Sequence, residues 1–389
     1  MAGKRFAFRS VALAGSALVA LGCSSHARPN QNETTASAVD RTDDLAGRLH
    51  AFEEARRKNI DFSAVKPWSE LSGADPIRIA TLPTRDGRML TVGLLRSESS
   101  LVLLDDRQHE IDRIDAPRSP TGLAVNGDEI YACGELSGEI RRYRVVEGHL
   151  LATGRLRSYP SHGLRDLAVA PEGLVYAVDE EGGKLITMRV PEPATPGSNV
   201  EQREIGIKIA PISVRRVGAH VIVNDLLAHA LSVFSVDEKG WPIAASETRI
   251  THDGPIWSFD ATDTPRGLLI AAGGVEDHKL DRSGGFFGWI DSFVFLYRVD
   301  GAGHVVRVAE QNVSELGVVT PKAIALQLGH DCISLMVTGY GGDHAARITW
   351  SENTQAPPQI VTALVPPGIA AISEVSGSEF VFANPLLDA

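Results

Sequence analysis

The sequence predicts an all-β protein, a seven-bladed β-propeller whose last blade the visible repeats leave incomplete, preceded by a short N-terminal helix. Three observations support this fold class. A sheet-forming unit returns about every 45 residues from Pro76 onwards. Each copy contains alternating apolar runs of strand length, separated by turn residues. No copy is large enough to bury both faces of its own sheet, so the copies are expected to stack around a common axis.

Each unit begins with a turn residue, often proline, followed by a first strand, a hairpin turn, a second strand and a third strand. The first strands are predicted to begin near residues 77, 122, 165, 212, 256, 321 and 368. Asn126-Gly127 and Glu172-Gly173 are turn pairs that join first and second strands. One spacing is longer, because an insertion over 273–290 enlarges that unit. Such even repetition argues against a β-sandwich, and the lack of linkers argues against tandem small domains.

Composition and charge limit the classes of function. The 389 residues include 37 Gly and 21 Pro and carry a formal net charge of −11. Nucleic acid is therefore not expected as a partner, because phosphate binding needs a basic face. The three cysteines are too few for a disulfide framework. Cys133 and Cys332 lie in apolar strand-like runs, which favours two separately buried thiols over a disulfide.

Residues 1–22 have the pattern of an export signal, with three basic residues before an apolar run too short to span a membrane. Small residues then precede Cys23, which resembles the lipobox of bacterial lipoproteins. That resemblance implies acylation of Cys23, and Ser24 resembles the pattern sorted to the outer membrane. The predicted location is thus the bacterial cell envelope, with the membrane as a partner through the lipid anchor. The alternative is an ordinary cleaved signal in which Cys23 is incidental.

The segment between the signal and the repeats is predicted to have two parts. Residues 23–44 are polar without an apolar period, which predicts a flexible tether. Within residues 45–75, leucine and phenylalanine recur at helical spacing, which predicts a short amphipathic helix and a linker that pack on the main body. The propeller itself is predicted over residues 76–389.

The blade pattern over 76–389 resembles the YVTN, lactonase-like and quinoprotein-dehydrogenase-like propellers. The insertion over 273–290 is similar to a segment of bacterial propellers that precede a di-haem cytochrome c peroxidase-like domain. The sequence contains no Cys-x-x-Cys-His haem motif. The resemblance therefore implies the propeller without its redox partner.

The last apolar run, Phe380 to Pro385, is predicted to be the second strand of the seventh unit. Three alternatives remain for the strands that would complete this unit. In the first, the seventh unit lacks these strands. In the second, the segment before Pro76 supplies them. In the third, the chain is shorter than its relatives.

In a propeller, the loops before the first strand and after the second strand of each blade share one face, around the central channel. The candidate ligand-binding residues on that face are Arg165, Asp166, Asp179, Asn224, Asp225, Trp257, Asp277, His278 and Lys322. The lactonase-like resemblance implies carboxylate and asparagine ligands there, and oxygen ligands suit Ca²⁺. The candidate calcium ligands are Asp179, Asn224, Asp225 and Asp343. Alternatively, the rim is simply solvated and its Asp and Asn residues form turns. Asp260 to Asp263 is predicted to be a hairpin turn.

The leading functional prediction is a binding or scaffold module at the membrane surface, without catalysis of its own, whose partner is an envelope protein or a small ligand. One alternative is a metal-dependent lactonase-like hydrolase. Another is an accessory module to an envelope di-haem redox system. The sequence has no Gly-x-Ser-x-Gly elbow, Walker loop or Rossmann glycine set. Both alternatives therefore depend on the resemblance.

Overall fold

The computed structural model describes residues 75–84, 87–158, 163–190, 200–277, 290–351, 356–376 and 379–385. The predicted signal, Cys23, the tether and the N-terminal helix all lie outside these described residues. Within the described ranges, no helix is both long and apolar enough to cross a membrane.

The described residues form antiparallel sheets whose strands are neighbours in chain order, which confirms the all-β prediction. Sheet 1 contains β1 (Pro76–Pro83), β2 (Met89–Leu95), β3 (Ser100–Leu104) and β4 (Glu110–Asp115). Sheet 2 contains β5 (Pro120–Asn126), β6 (Glu129–Gly134), β7 (Glu139–Val146) and β8 (His149–Ser158). Sheet 3 contains β9 (Leu164–Val169), β10 (Leu174–Asp179), β11 (Lys184–Arg189) and β12 (Gln202–Gly206). Sheet 4 contains β13 (Pro211–Val217), β14 (His220–Asp225), β15 (Ala230–Ser235) and β16 (Thr248–Thr251). Sheet 5 contains β17 (Ile256–Thr264), β18 (Gly267–Asp277), β19 (Ile290–Val299) and β20 (Val305–Asn312). Sheet 6 contains β21 (Pro321–Leu328), β22 (Cys332–Gly339), β23 (His344–Ser351) and β24 (Gln359–Leu364). Sheet 7 contains β25 (Ala371–Ser376) and β26 (Glu379–Ala383). Ala244–Ser246 and Ser314–Leu316 form short 3-10 helices.

The first strands of successive sheets are in contact with one another. β1 contacts β5, β5 contacts β9, and the series continues through β13, β17 and β21 to β25. The first strand of sheet 7, β25, contacts β1 of sheet 1. We call these seven strands the inner strands. Sheets that are joined through their first strands in this way are consistent with a β-propeller.

The core lies between neighbouring sheets rather than within any one of them. One buried cluster joins Tyr176 of sheet 3 to Phe234 of sheet 4 and to Trp241, which lies between β15 and β16 of sheet 4. Within this cluster the Tyr176 hydroxyl donates a hydrogen bond to the Gly240 carbonyl over 2.7 Å. Full burial of a large apolar side chain contributes roughly 1.5–3 kcal/mol. Each sheet therefore gains most of its stability from its two neighbours.

Sheets 1 and 7 are joined by both apolar and polar contacts. Ile79 of β1 packs against Val381 and Ala383 of β26. Thr81 of β1 donates a hydrogen bond from Oγ1 to the carbonyl of Glu374 over 2.8 Å. Together these contacts hold the last described sheet against the first.

The inner strands begin within a few residues of the predicted positions, because proline or another turn residue precedes each of them. The turn between β5 and β6 contains Gly127 with φ of +61°, a conformation that glycine adopts without strain. The sequence does not locate the outer strands, such as β4 and β12. Most residues of these strands are polar and at least partly exposed, so no apolar alternation marks them.

Two other predictions can be compared with the structure. The predicted hairpin turn at Asp260 is wrong, since Asp260 lies inside β17, which runs on to Thr264 before it turns. Cys133 and Cys332 are both free thiols, as predicted, with Cys133 fully buried and Cys332 partly buried. Burial raises the pKa of the Cys133 thiol to about 12, so it stays protonated and unreactive at neutral pH.

Candidate functional site

A β-bulge recurs at the second residue of the inner strand in sheets 1 to 6. In β21, for example, Pro321 pairs with Gly339 and Ala323 pairs with Thr338, so Lys322 has no partner of its own. A bulge turns the side chain of the extra residue away from its usual direction. The bulged residues are Ile77, Thr121, Arg165, Ile212, Trp257 and Lys322. We call the end of the inner strands where these residues lie the channel mouth. Three of the predicted ligand-binding residues occupy bulges.

A second repeated contact brings the residue after each second strand to the same mouth. Its N–H donates to the carbonyl of the residue that precedes the inner strand. This bond is 2.9 Å from Arg96 to Asp75, 2.8 Å from Glu135 to Ser119, and 3.0 Å from Tyr340 to Thr320. Arg96, Glu135 and Tyr340 are therefore fixed beside the bulged residues of their sheets. The sequence predictions did not include any of these three.

On the side formed by sheets 1 to 3, the charged residues of the mouth pair with one another. Glu135 lies between two arginines, with Oε2 3.5 Å from Nη2 of Arg96 and Oε1 3.2 Å from Nη1 of Arg165. Arg165 also donates a hydrogen bond to Glu180. These four residues, which we call the paired side, alternate in charge across three sheets. Because they are partly exposed, each pair stabilises the fold by about 1 kcal/mol or less.

Asp166 is buried directly below the paired side and connects three inner strands. Its Oδ2 accepts hydrogen bonds from the N–H of Val214 over 3.2 Å and from Nη1 of Arg215 over 3.1 Å. Its Oδ1 lies 3.9 Å from Nε of Arg78 in sheet 1. Sheet 2 leaves room for this contact through Gly122, where an added Cβ would lie 2.8 Å from Cα of Asp166. The contacts of Asp166 are thus internal to the fold.

The predicted calcium ligands lie in three different sheets and have local partners. Asp179 accepts a hydrogen bond from the N–H of Gly182 over 2.8 Å. Asp225 accepts from the N–H groups of Ala210 and Ala228 over 3.0 and 3.2 Å. Both carboxylates therefore stabilise the loops next to their own strands, which is the turn-forming alternative stated above.

Asn224 and Asp343 complete that predicted set. The Nδ2 of Asn224 donates to the carbonyl of Ile256 over 2.8 Å, which links sheet 4 to sheet 5. Asp343 lies 2.7 Å from Nδ1 of its neighbour His344. Within the described ranges, no group of three or more His, Cys, Asp or Glu residues is arranged to hold a metal ion. The described residues therefore do not bring the four predicted ligands together.

On the opposite side of the mouth, Lys322 lies between two aromatic rings. Its Nζ is 4.7 Å from the ring centre of Tyr340 and 5.9 Å from that of Trp257. Such cation–π contacts stabilise an ammonium group without neutralising it. No carboxylate among the described residues forms an ion pair with Lys322. Burial lowers the pKa of Lys322, and the charges of Arg78 and Arg96 lower it further.

Further along the axis lies a partly buried carboxyl group, that of Asp260, which is not among the predicted ligand-binding residues. Asp260 accepts a hydrogen bond from the N–H of Leu326 over 2.8 Å, which links sheet 5 to sheet 6. Burial raises the pKa of Asp260, while its hydrogen bonds and the charge of Arg215 oppose that rise. Nothing in the local sequence distinguishes Asp260 from a turn residue, because its partners come from other sheets.

The predicted residues of the insertion are only partly described. Strands β18 and β19 are lengthened there, and Asp277 pairs with Ile290 at the end of their hairpin. His278 lies outside the described residues. The predicted ligand-binding roles of Asp277 and His278 therefore remain predictions.

Comparison with known proteins by sequence shows no family. No protein-family model matches the chain. Lipoyl synthases from three strains of Coxiella burnetii are 30% identical to it over 127 residues, which are 30% of this chain and 40% of theirs. The chain thus spans about 40% of the length of these curated relatives.

Comparison with solved structures shows similarity of fold. Hydrazine synthase from Kuenenia stuttgartiensis has a TM-score of 0.62 at 13% identity, with coverage of 82% of this chain and 94% of that one. A putative 6-phosphogluconolactonase from Bacteroides uniformis has a TM-score of 0.55 at 16% identity, over 75% and 85% of the two chains. A streptogramin B lyase has a TM-score of 0.55 at 12% identity, over 82% and 93%. These proteins are propeller-like, and identities this low show the fold alone.

Proposed function

We propose that this chain is a binding module of the bacterial cell envelope that receives its ligand at the channel mouth and does not transform it. One observation carries the proposal. Lys322, half-buried between Trp257 and Tyr340, has no carboxylate partner among the described residues. A desolvated cation next to aromatic rings can bind a ligand.

The proposal includes a ring of seven blades. It is supported by the six four-stranded sheets and the one two-stranded sheet of the described ranges. It is also supported by the contact between β25 and β1. Seven inner strands around one axis would leave a central opening next to the bulged positions.

Binding at the mouth is tested by thermal-shift screening of the full-length protein in detergent against a panel of acidic, neutral and basic small molecules. We expect some compounds to stabilise the wild type and to lose that effect with Trp257→Ala. We also expect each such compound to be recovered unchanged after long incubation. Stabilisation that persists in the Trp257→Ala variant, or conversion of the compound, would overturn the proposal.

The anchoring part of the proposal places the module on the membrane through Cys23. It is supported by the lipobox-like residues before Cys23 and by the polar residues 24–44 after it. Fractionation of cells that express the wild type should recover the protein with the outer membrane. The Cys23→Ala variant should move to the soluble or inner-membrane fraction. Unchanged fractionation of that variant would show that Cys23 is not the anchor.

A lactonase-like hydrolase is the second candidate, favoured by the similarity in fold to two putative 6-phosphogluconolactonases from Bacteroides species. The direct test is turnover of 6-phosphogluconolactone, with and without Ca²⁺ or EDTA. A binding module shows no turnover above the spontaneous rate in either condition. Turnover that EDTA abolishes would favour the hydrolase instead. The redox accessory role stays a prediction, and stable co-purification with a di-haem protein would favour it.

A further inference from the structure

Sheet 7 places two alanines, Ala370 and Ala371, where it meets sheets 6 and 1 at the channel mouth, and we call the space beside them the recess. The N–H of Ala370 donates to the carbonyl of Ala383 over 2.9 Å, and Ala371 pairs with the same residue. Two residues thus oppose one, as at the bulges of the other sheets. By this register, Ala370 and Ala371 take the positions that Ile77 and Arg78 hold in sheet 1. Both alanines are partly exposed, so the inner strand of sheet 7 places only small side chains at these two positions.

Cationic groups lie on both sides of these two alanines. Sheet 6 provides Lys322 on one side, and sheet 1 provides Arg78 and Arg96 on the other. The two arginines are close enough to Lys322 to lower its pKa by repulsion. Because β25 contacts both β21 of sheet 6 and β1 of sheet 1, these three charges come from the two sheets that flank the alanines.

Only one of these charges lacks an acidic partner among the described residues. Arg78 approaches Asp166 to 3.9 Å, and Arg96 approaches Glu135 to 3.5 Å. Lys322 lies next to the rings of Trp257 and Tyr340 and forms no ion pair with a carboxylate of the described residues. The other acidic groups near the axis, Asp260 and Glu374, lie three to four residues further along their strands, which is about 10 Å from the mouth.

We propose that this recess binds the carboxylate of a small organic monoanion, with Lys322 as its main partner and Arg78 and Arg96 as its flanking donors. The inference depends on the proposed function, because it names the chemical class of the ligand at the same mouth. A single carboxylate would compensate the one unpaired charge. A phosphate dianion would bring a second negative charge, while Arg78 and Arg96 already have acidic partners among the described residues. The rings of Trp257 and Tyr340 would contact an apolar or aromatic body.

The experiment uses benzoate as the probe and the full-length protein in detergent with its lysines dimethylated with ¹³C, which keeps their positive charge. The NMR signal of Lys322 is assigned from its loss in Lys322→Gln. We expect benzoate to raise the pKa of Lys322, because a bound carboxylate stabilises the charged amine. Calorimetry should show benzoate affinity at least tenfold weaker in Lys322→Gln and unchanged in Lys208→Gln. Lys208 is an exposed lysine in the loop before β13, outside the recess.

A second variant tests the recess with Lys322 intact. In Ala371→Leu the added side chain fills the volume between Lys322 and Arg78, so benzoate affinity should fall at least tenfold. The inference is overturned if benzoate leaves the Lys322 signal unchanged or if Lys322→Gln binds benzoate normally. It is also overturned if phosphate binds as tightly as benzoate at equal ionic strength. Neutral compounds that bind at Trp257 while benzoate does not would leave the proposed function standing without this inference.

Discussion

The two sides of the channel mouth contain the same β-bulge, but the bulged side chains have different surroundings. On the paired side, the bulged Arg165 contacts Glu135 and Glu180, so its charge is balanced within the protein. On the side formed by sheets 5 to 7, the bulged Lys322 lies next to two aromatic rings and has no carboxylate partner among the described residues. Location at the mouth is therefore not sufficient to make a residue part of a ligand site. A residue at the mouth is available to a ligand only where the neighbouring sheets leave its charge or surface uncompensated.

Removal of Asp166 should have the largest effect, because it breaks the support of the paired side. Asp166→Ala leaves the buried N–H of Val214 without this acceptor and removes the carboxylate that Arg78 and Arg215 share. We expect a loss of about 2–4 kcal/mol in the free energy of unfolding, measured by urea denaturation. The matched control is Lys322→Met on the other side, which should change stability by less than about 0.5 kcal/mol. Equal losses in the two variants would remove the distinction between the sides.

Acid should weaken the fold through His252, which lies in the loop that leads into sheet 5. Its ring packs against Phe295 and Tyr297, and burial lowers its pKa to about 4. The charge of Arg307 adds to this effect and that of Asp253 opposes it.

As the pH is lowered, His252 gains a proton near its ordinary pKa of about 6.5 in the unfolded protein, but only at a lower pH in the folded protein. The free energy of unfolding should therefore fall as the pH is lowered from about 6.5 towards 4, by up to about 3 kcal/mol. His252→Phe should flatten this part of the profile, while the exposed His330→Gln should not. A profile that His252→Phe leaves unchanged would contradict the assignment.

A methyl group at Gly122 should disturb the paired side by another route. In Gly122→Ala the new Cβ would lie 2.7 Å from Sγ of Cys133 and 2.8 Å from Cα of Asp166. Because a backbone atom is involved, the strands must move apart, at a cost of about 1–3 kcal/mol. Gly206→Ala is the control, since no atom lies within 4 Å of its added Cβ. The midpoint temperatures of the two variants should differ by several degrees. Equal midpoint temperatures would show that a methyl group at position 122 fits without displacement of the strands.

The smallest effect is expected for the exposed ion pairs of the paired side. Glu135→Gln removes the partner of both Arg96 and Arg165. We expect a loss of less than about 1 kcal/mol in low salt, which disappears in 1 M NaCl because exposed charges are screened. A loss that persists in high salt would indicate that these pairs are part of the buried structure.

The sequence predicts the inner strands well and the chemistry of the mouth only in part. Turn residues such as Pro120 and Pro211 mark strand starts locally, so they can be read without the fold. Arg165, Trp257 and Lys322, which the sequence makes candidates for ligand binding, each occupy the bulged second position of an inner strand. Their different roles could not be predicted, since the pairing of Arg165 with Glu135 depends on which sheets become neighbours. The same is true of Asp260, whose acceptor role depends on a strand of the next sheet.

The repeated bulge also bears on how proteins of this shape diversify. The hydrogen bonds that form it are made by the main chain, so the fold does not dictate which amino acid stands there. Thr121 and Ile212 occupy the same kind of position as Lys322. Substitution at any one of them exchanges a single chemical group at a fixed location while the scaffold is retained. New specificities could therefore be reached, by natural drift or by a designed library, one position at a time.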